Sequence, residues 1–255
     1  MEGLENFEDI SRSLQSITLA EMDSVALMNR TDTKFMLDRG SALDMLGEIA
    51  HGFRILEVNS VRLNRYETLY YDTEDLRFFR LHLNGKLNRY KVRNRKYVES
   101  DLSFLEVKFK SNKSRTIKQR VVIDDIELHP SPDSQAFITD ASGLDLDLKP
   151  QLWSHFTRMT LVHNELPERL TIDTDLRFST QTGEVAFDNM CIVELKQERL
   201  NRQSPFFRAA KARGIRPSGV SKYCLGIASL RDDLKLNALK PKLKLVQKIQ
   251  AHVVE

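Results

Sequence analysis

The stretch that decides the fold is Leu87–Tyr97, LNRYKVRNRKY. Side chains of a β-strand alternate between two faces. Read that way, Arg89, Lys91, Arg93, Arg95 and Tyr97 share one face, and Asn88, Tyr90, Val92, Asn94 and Lys96 share the other. Successive cations on one face repel each other. Such a face is either fully solvated or set against something anionic, and the rest of the chain bears on which.

The alternation recurs on both sides of this stretch. Leu102–Lys110 (LSFLEVKFK) puts Glu106, Lys108 and Lys110 opposite Leu105, Val107 and Phe109. After a polar turn at Ser111–Ser114, Arg115–Asp124 puts Lys118 and Arg120 opposite Ile117, Val121 and Ile123, which predicts an antiparallel hairpin. Leu152–Val162 is extended, with Phe156, Arg158 and Thr160 on one side. Arg169–Phe178 (RLTIDTDLRF) sends Arg169, Thr171, Asp173, Asp175 and Arg177 one way and Leu170, Ile172, Leu176 and Phe178 the other. Thr182-Gly183 marks a hairpin turn, and Cys191–Glu198 sets Glu194, Lys196 and Glu198 opposite Val193 and Leu195. Toward the N-terminus, Arg65–Thr73 is a Tyr- and Thr-rich strand. Arg30–Asp38 places Arg30, Asp32, Lys34, Met36 and Asp38 opposite Thr31, Thr33, Phe35 and Leu37.

Helical spacing fills the gaps. Phe7, Ile10, Leu14 and Ile17 predict one helix over Phe7–Met28. A second starts at Gly40-Ser41. A third carries Leu76, Phe79 and Leu83 and ends at Asn84-Gly85. Gln135–Ala141 follows the break at His129–Pro132. Ser204-Pro205 opens another helix, since Pro suits a first helical position, and Val220–Leu230 forms the next, with Ser221 and Lys222 near its start. The basic tail Leu234–Val254 has a helical apolar stripe that could cover a groove, dock a partner or touch an anionic membrane surface. The expected organisation is an N-terminal helical segment at 1–28, one domain at 29–230 and a basic C-terminal tail at 231–255.

Composition narrows the function classes. With 39 basic and 36 acidic residues, net charge is only +3, so an anion site is local rather than a general polyanion coat. Two cysteines, Cys191 and Cys224, exclude a disulfide framework and read as buried thiols. The acidic N-terminus MEGLENFEDI has no apolar signal-peptide core, and no apolar run reaches the roughly 20 residues of a membrane helix. A cytoplasmic protein with no transmembrane segment is expected. Nucleic acid is not expected as a partner, because the basic strand lacks interleaved aromatics that stack bases; Tyr90 and Tyr97 fall on opposite faces. His82, His155 and His163 lack metal-ligand spacing and read as structural.

For any one of these strands, apolar in and polar out toward water is the simplest reading. The polar faces are unusually rich in Arg and Lys, however. Rolling an antiparallel sheet into a barrel turns the charged faces into a lumen and leaves the apolar faces for helices to cover. Cations confined at low dielectric repel when the lumen is empty and become favourable around a compact polyanion. The acids among them, Glu106 and Glu194, could hold a divalent ion that bridges phosphates. For Glu106, pairing with Lys108 or Lys118 is the alternative. Asp173 and Asp175 could orient neighbouring Arg side chains.

The ordered series R-x-x-x-K (Arg30, Lys34), LYYDT (Leu69–Thr73), R-x-R-x-Y (Arg93, Arg95, Tyr97), E-x-K (Glu106, Lys108), Lys118 and Arg120, Arg158, Arg169, V-E-L-K around Glu194, and S-K (Ser221, Lys222) resembles the VTC domain. This is the polyphosphate polymerase domain among the triphosphate tunnel, or CYTH-like, proteins. The resemblance implies an α+β fold: an antiparallel β-tunnel of about eight strands with a basic lumen, and helices outside and at the ends. It implies transfer of the ATP γ-phosphate to inorganic polyphosphate with Mn²⁺ or Mg²⁺. ATP or another nucleoside triphosphate, polyphosphate and pyrophosphate are the expected partners. Arg93, Arg95, Lys108, Arg158 and Arg169 are the expected catalytic cations. Arg30, Lys34, Lys91, Lys118, Arg120, Lys196, Ser221 and Lys222 are expected at phosphates, and Glu194 at the metal. Non-catalytic polyphosphate binding and triphosphate hydrolysis are the alternatives. Two departures stand out. The hydrolase pattern E-x-E-x-K is replaced by Arg30-Thr31-Asp32-Thr33-Lys34. Gly219 stands where the polymerases tend to carry a Lys, with Arg216 or Lys211 as candidates to compensate.

Overall fold

The computed structural model describes residues 6–24, 30–113 and 115–251. The chain opens with α1 (Phe7–Ser13), β1 (Ser16–Ile17) and α2 (Leu19–Ser24), so the single helix expected over Phe7–Met28 is broken; residues 25–28 of that stretch lie outside the described residues. The physical reason is that its apolar stripe serves two cores. Phe7, Ile10 and Leu14 pack into one cluster, and Ile17 and Met22 into another.

Next come β2 (Thr31–Asp38), α3 (Arg39–Ile49), β3 (Phe53–Leu56) and β4 (Leu63–Asp72). Then follow α4 (Arg77–Leu83), β5 (Arg89–Tyr97), β6 (Leu102–Lys110), β7 (Thr116–Ile123) and α5 (Pro132–Ser142). The chain continues through β8 (Lys149–His163), β9 (Glu168–Ser179), β10 (Glu184–Phe187) and β11 (Met190–Gln197), and ends on α6 (Pro205–Ala212), α7 (Lys222–Leu230) and α8 (Lys240–Ala251). Several helices start where their caps dictate. Asp38, Ser131, Ser204 and Ser221 each accept a backbone N–H of the following turn.

The sheet runs β2-β11-β9-β8-β4-β5-β6-β7, antiparallel throughout this path. It is rolled, since its two end strands, β2 and β7, both line one cavity. Its outer face packs on helices. Phe35, Leu161, Leu170, Ile172, Val193 and Leu195 meet α1, α3 and α6, while Leu69, Val92, Leu105 and Val107 meet Ile138 of α5. At roughly 25 cal/mol per Å² of apolar surface, this burial supplies the main drive for closing the roll. The edge strand β7 departs from the expected covering: Ile117 and Val121 are exposed. Its basic residues are a common defence for such an edge.

The inner face is charged along part of its length and apolar at one end. That end is filled by α7, whose Tyr223, Leu225 and Ile227 pack with Tyr70, Leu152, Phe156 and Phe178. Gly226 makes the insertion possible, because a Cβ there would sit 2.5 Å from Leu152 Cδ2 and 2.8 Å from Phe178 Cδ1. The Asp72 carboxylate accepts from the backbone N–H of Phe78 (2.8 Å) and Phe79 (2.9 Å) and from the Tyr223 hydroxyl (2.6 Å), tying α4 and α7 to β4.

One strand breaks the simple alternation. Asp175 has φ +51°, and the β8–β9 register shifts between His155 and Thr157. This bulge inverts the facing of β9. Leu170 and Ile172 point outward, whereas Leu176 and Phe178 point inward. Asp173 therefore faces the lumen, while Asp175 pairs with Arg39 on α3 at 3.2 Å. The sequence pattern had put both on one face.

The described part of the tail docks rather than trailing: Val246 and Ile249 of α8 are buried, and Asn189 Nδ2 donates to the Ile249 carbonyl at 2.9 Å. Among the described residues no helix is long and apolar enough to cross a membrane.

Candidate functional site

Three acids anchor cations inside the roll. Glu106, opposite Arg93 on β5 and Arg120 on β7, accepts from Arg93 Nε at 2.7 Å and also binds Lys118. With Glu106 1% exposed, burial opposes its ionisation, yet Arg93, Arg95 and Lys118 outweigh that and hold its carboxyl well below the usual range. Both oxygens are thus engaged by cations, which is the pairing alternative rather than an open metal ligand. Asp173 accepts a bidentate pair from Arg158, at 2.5 Å from Nε and 2.8 Å from Nη2, and also binds Lys222. Glu194 sits between Lys34 at 2.9 Å and Lys196 at 2.7 Å. Burial disfavours its charge too, and Lys196, Lys34 and Arg158 more than compensate.

Arg95 is buried, and among the described residues no acid is in direct contact with it. Its guanidinium lies 5.6 Å from the Tyr66 ring centre and 5.9 Å from that of Phe156, and its Nε donates to Thr68 at 3.3 Å. Arg158 lies over the same two rings, and Lys222 Nζ is 3.9 Å from the Phe156 ring centre.

Beside these groups is a cavity of about 530 Å³ lined by Lys34, Lys91 and Lys108, together with Arg89, Lys110 and Lys242. Asp32 is the one acid among its described lining residues. Lys91 donates to Ser221 Oγ at 2.8 Å. Burial pushes Lys91 down to about 7, with Lys108, Lys34 and Arg93 adding to the effect. Burial likewise lowers Lys108 to about 8, reinforced by Arg93 and Lys34. Lys222 is brought down to about 7 by burial and then by Arg158, against the pull of Asp173. These are ammonium groups held where charge is costly.

The structure gathers most of the residues singled out in the sequence. Lys34, Lys91 and Lys108 line the cavity. Arg93, Lys118, Arg158, Lys196, Lys222 and Glu194 form the anchored groups, and Ser221 bridges the two sets. Others stand apart. Arg30 pairs with Asp32 at 3.0 Å on exposed ground, and Arg120 lies over Phe104 at 4.5 Å. Arg169 donates to the Met22 carbonyl of α2 at 3.2 Å.

Neither Arg216 nor Lys211 lines the cavity; Lys242, from the tail, does. His82, read as structural, is also a lining residue, with its Nδ1 buried and unbonded. Burial and then Lys91, Arg89 and Lys242 lower it to about 3. His163 and His155 fit the structural reading: His163 Nδ1 accepts the N–H of Glu165 and of Leu166, and His155 stacks on Trp153. Lys242 and His82 carried no signal in the sequence, because each reaches the cavity from a helix whose pattern reports only its packing face. Among the described residues there is no group of three or more His, Cys, Asp or Glu side chains placed to hold a metal ion. Cys191 and Cys224 are buried free thiols.

A solved structure shares this fold. A Hippeastrum protein, named as a candidate adenylyl cyclase with a dominant triphosphatase activity, is similar with a TM-score of 0.50 and 16% identity over 82% of this chain and 99% of that one. A candidate adenylate cyclase from Bacillus halodurans (TM-score 0.46, 11% identity, 76% of this chain and 96% of that one) is also similar. So is one from Vibrio parahaemolyticus (TM-score 0.43, 12% identity, 77% and 97%). A search of curated protein sequences gave no match. The fold is the antiparallel β-tunnel with helices around it. The family comparison matches the VTC domain over residues 29–231, most of the chain, and the chain belongs to the VTC domain family.

Proposed function

We propose that this chain is a metal-dependent polyphosphate polymerase that transfers the γ-phosphoryl group of ATP to a growing inorganic polyphosphate chain inside the tunnel. The observation that supports it is the cavity where Lys91 and Lys108 converge beside Lys34, itself paired with Glu194 at 2.9 Å, with Asp32 as the one acid among the described lining residues. Buried cations without counter-charge repel, and a run of phosphates supplies the missing charge compactly. Lys heads serve as point charges, and Arg forks match phosphate oxygens in pairs. Family membership points the same way.

In this proposal Arg93, Arg95, Lys108 and Arg158 meet the oxygens that gain charge during transfer, and Arg169, held on the Met22 carbonyl, flanks them on β9. Lys34, Lys91, Lys118, Lys196, Ser221 and Lys222 hold the flanking phosphates, and Arg30 and Arg120 stand at the periphery. The anchoring acids keep Arg93 and Arg158 in place before substrate arrives, so little reorganisation is needed. A terminal oxyanion of the chain attacks the γ-phosphorus. The bond from that phosphorus to the β–γ bridging oxygen breaks, and ADP leaves with the electron pair. The attacking oxygen is anionic near neutral pH, so positioning and charge neutralisation suffice without a strong general base.

Mg²⁺ or Mn²⁺ entering with the nucleotide would neutralise charge on the β- and γ-oxygens. Glu194, lumen-facing and with Asp32 on the adjacent strand, would be the protein ligand, provided the entering phosphates draw Lys34 and Lys196 off its two oxygens, which they engage at 2.9 and 2.7 Å. A single carboxylate fits because Mg²⁺ commonly completes its shell with phosphate oxygens and water.

The test is incubation with ATP and Mn²⁺, with and without a short polyphosphate primer. Long chains from the wild type, reduced at least about a hundredfold by Arg93→Ala and by Glu194→Ala, are expected. Orthophosphate without chains would assign a hydrolase. Salt-sensitive polyphosphate binding without turnover would assign an accessory binder.

A further inference from the structure

We infer that Lys242, carried by α8 beyond the family match, is a phosphate-contacting residue of the cavity, so that the C-terminal helix completes the site. The inference rests on reading this cavity as a triphosphate site. Lys242 lines the cavity together with Lys34, Lys91 and Lys108. Its head lies at the loop Pro217–Val220, where a Cβ added to Gly219 would be 3.8 Å from Lys242 Nζ. The glycine leaves the space in which that ammonium sits.

The loop is itself part of the site. Ser218 N–H donates to the Lys34 carbonyl at 2.7 Å, and the next residues lead to Ser221, which holds Lys91. The Lys242 charge also reaches inward, since it helps disfavour protonation of His82.

The way α8 is held argues against a merely solvated side chain. Val246 lies one turn on from Lys242 and is buried, so the face that carries Lys242 is the face turned to the sheet. Lys240 and Lys244 are exposed. The first turn of α8 holds no acid, and a cation there opposes the positive end of the helix dipole. An ammonium placed against the dipole, beside four other lysines, is stabilised by an anion between them.

Inorganic tripolyphosphate binding to the full chain, followed by calorimetry, tests this. Lys242→Ala is expected to weaken binding about ten- to a hundredfold, the loss typical of one charge-assisted contact, while Lys240→Ala and Lys244→Ala bind like wild type. Adding Gly219→Lys to Lys242→Ala is expected to restore binding, which a structural role for Lys242 would not allow. Wild-type affinity in Lys242→Ala, alongside weakened binding in Lys91→Ala, would overturn this inference and leave the triphosphate site standing. No tripolyphosphate binding by the wild type would overturn both.

Discussion

Arg93 and Lys118 share Glu106, and Arg158 and Lys222 share Asp173, whereas Lys91 and Lys108 share a cavity with Lys34 and with each other. The two regions differ in counter-charge: the acids hold the Arg93 and Arg158 guanidinium groups firmly charged in the first, although burial still lowers its Lys222 to about 7 as it lowers the cavity lysines. In the first, a buried acid satisfies the cations, and the groups are part of what holds the tunnel walls. In the second, burial and like charge work together, and the ammonium groups are driven toward neutrality. Counter-charge from the protein makes a scaffold, and counter-charge left out makes a site. The difference can be broken experimentally, because removing charge should do opposite things on the two sides.

The largest effect is expected in the anchored region. Asp173→Asn strands Arg158 and Lys222 in the interior and should cost about 3–5 kcal/mol of unfolding free energy, read by urea denaturation. Added tripolyphosphate should recover part of it. If Asp173→Asn unfolds like wild type, the anchoring account is wrong.

In the cavity the sign reverses. Lys91→Met removes a buried ammonium and should leave the empty protein as stable as wild type or more so. The same change should weaken tripolyphosphate binding about tenfold or more, seen by titration calorimetry. A Lys91→Met protein that is clearly destabilised would place Lys91 with the scaffold instead.

The smallest effect is a pH dependence. Lys91 titrates at about 7 in the folded protein, against about 10.4 for an unperturbed lysine. Between those values the unfolded chain binds more protons at this residue than the folded one, so its contribution to stability rises with pH. The stability advantage of Lys91→Met over wild type should therefore be greatest below pH 7 and fade as pH climbs toward 10. Melting temperatures of the two proteins across that range check it. A gap that stays constant or widens would contradict it.

Much of this was readable from one residue string. Leu102–Lys110 alternates so cleanly that the strand β6 has those bounds, and the stretch read as a strand from Leu87 to Tyr97 is one from Arg89, after Asn88 at φ +52°. Period-two patterning works here because most walls have one apolar face against helices and one charged face against the lumen; β7, with Ile117 and Val121 exposed, is an exception. It failed where geometry added something that the pattern does not encode. The bulge at Asp175 inserts a residue and swaps faces, and the stripe from Phe7 to Met22 is shared between two cores. In the site, strand residues such as Lys34, Arg93 and Lys108 were legible because the alternation aims them. Pairings across the lumen, such as Asp173 with Lys222, and contributions from helices, such as Lys242 and His82, depend on how the roll closes.

The most direct test of the central claim is lysine reactivity, mapped by mass spectrometry after brief acetylation at pH 8. Lys91 is then largely a neutral amine and Lys108 about half so, and both line the cavity. The account predicts that they label fast in the empty protein and are protected by tripolyphosphate, while exposed Lys240 and Lys244 label equally in both conditions. Unchanged labelling of Lys91 and Lys108 at saturating tripolyphosphate would contradict it.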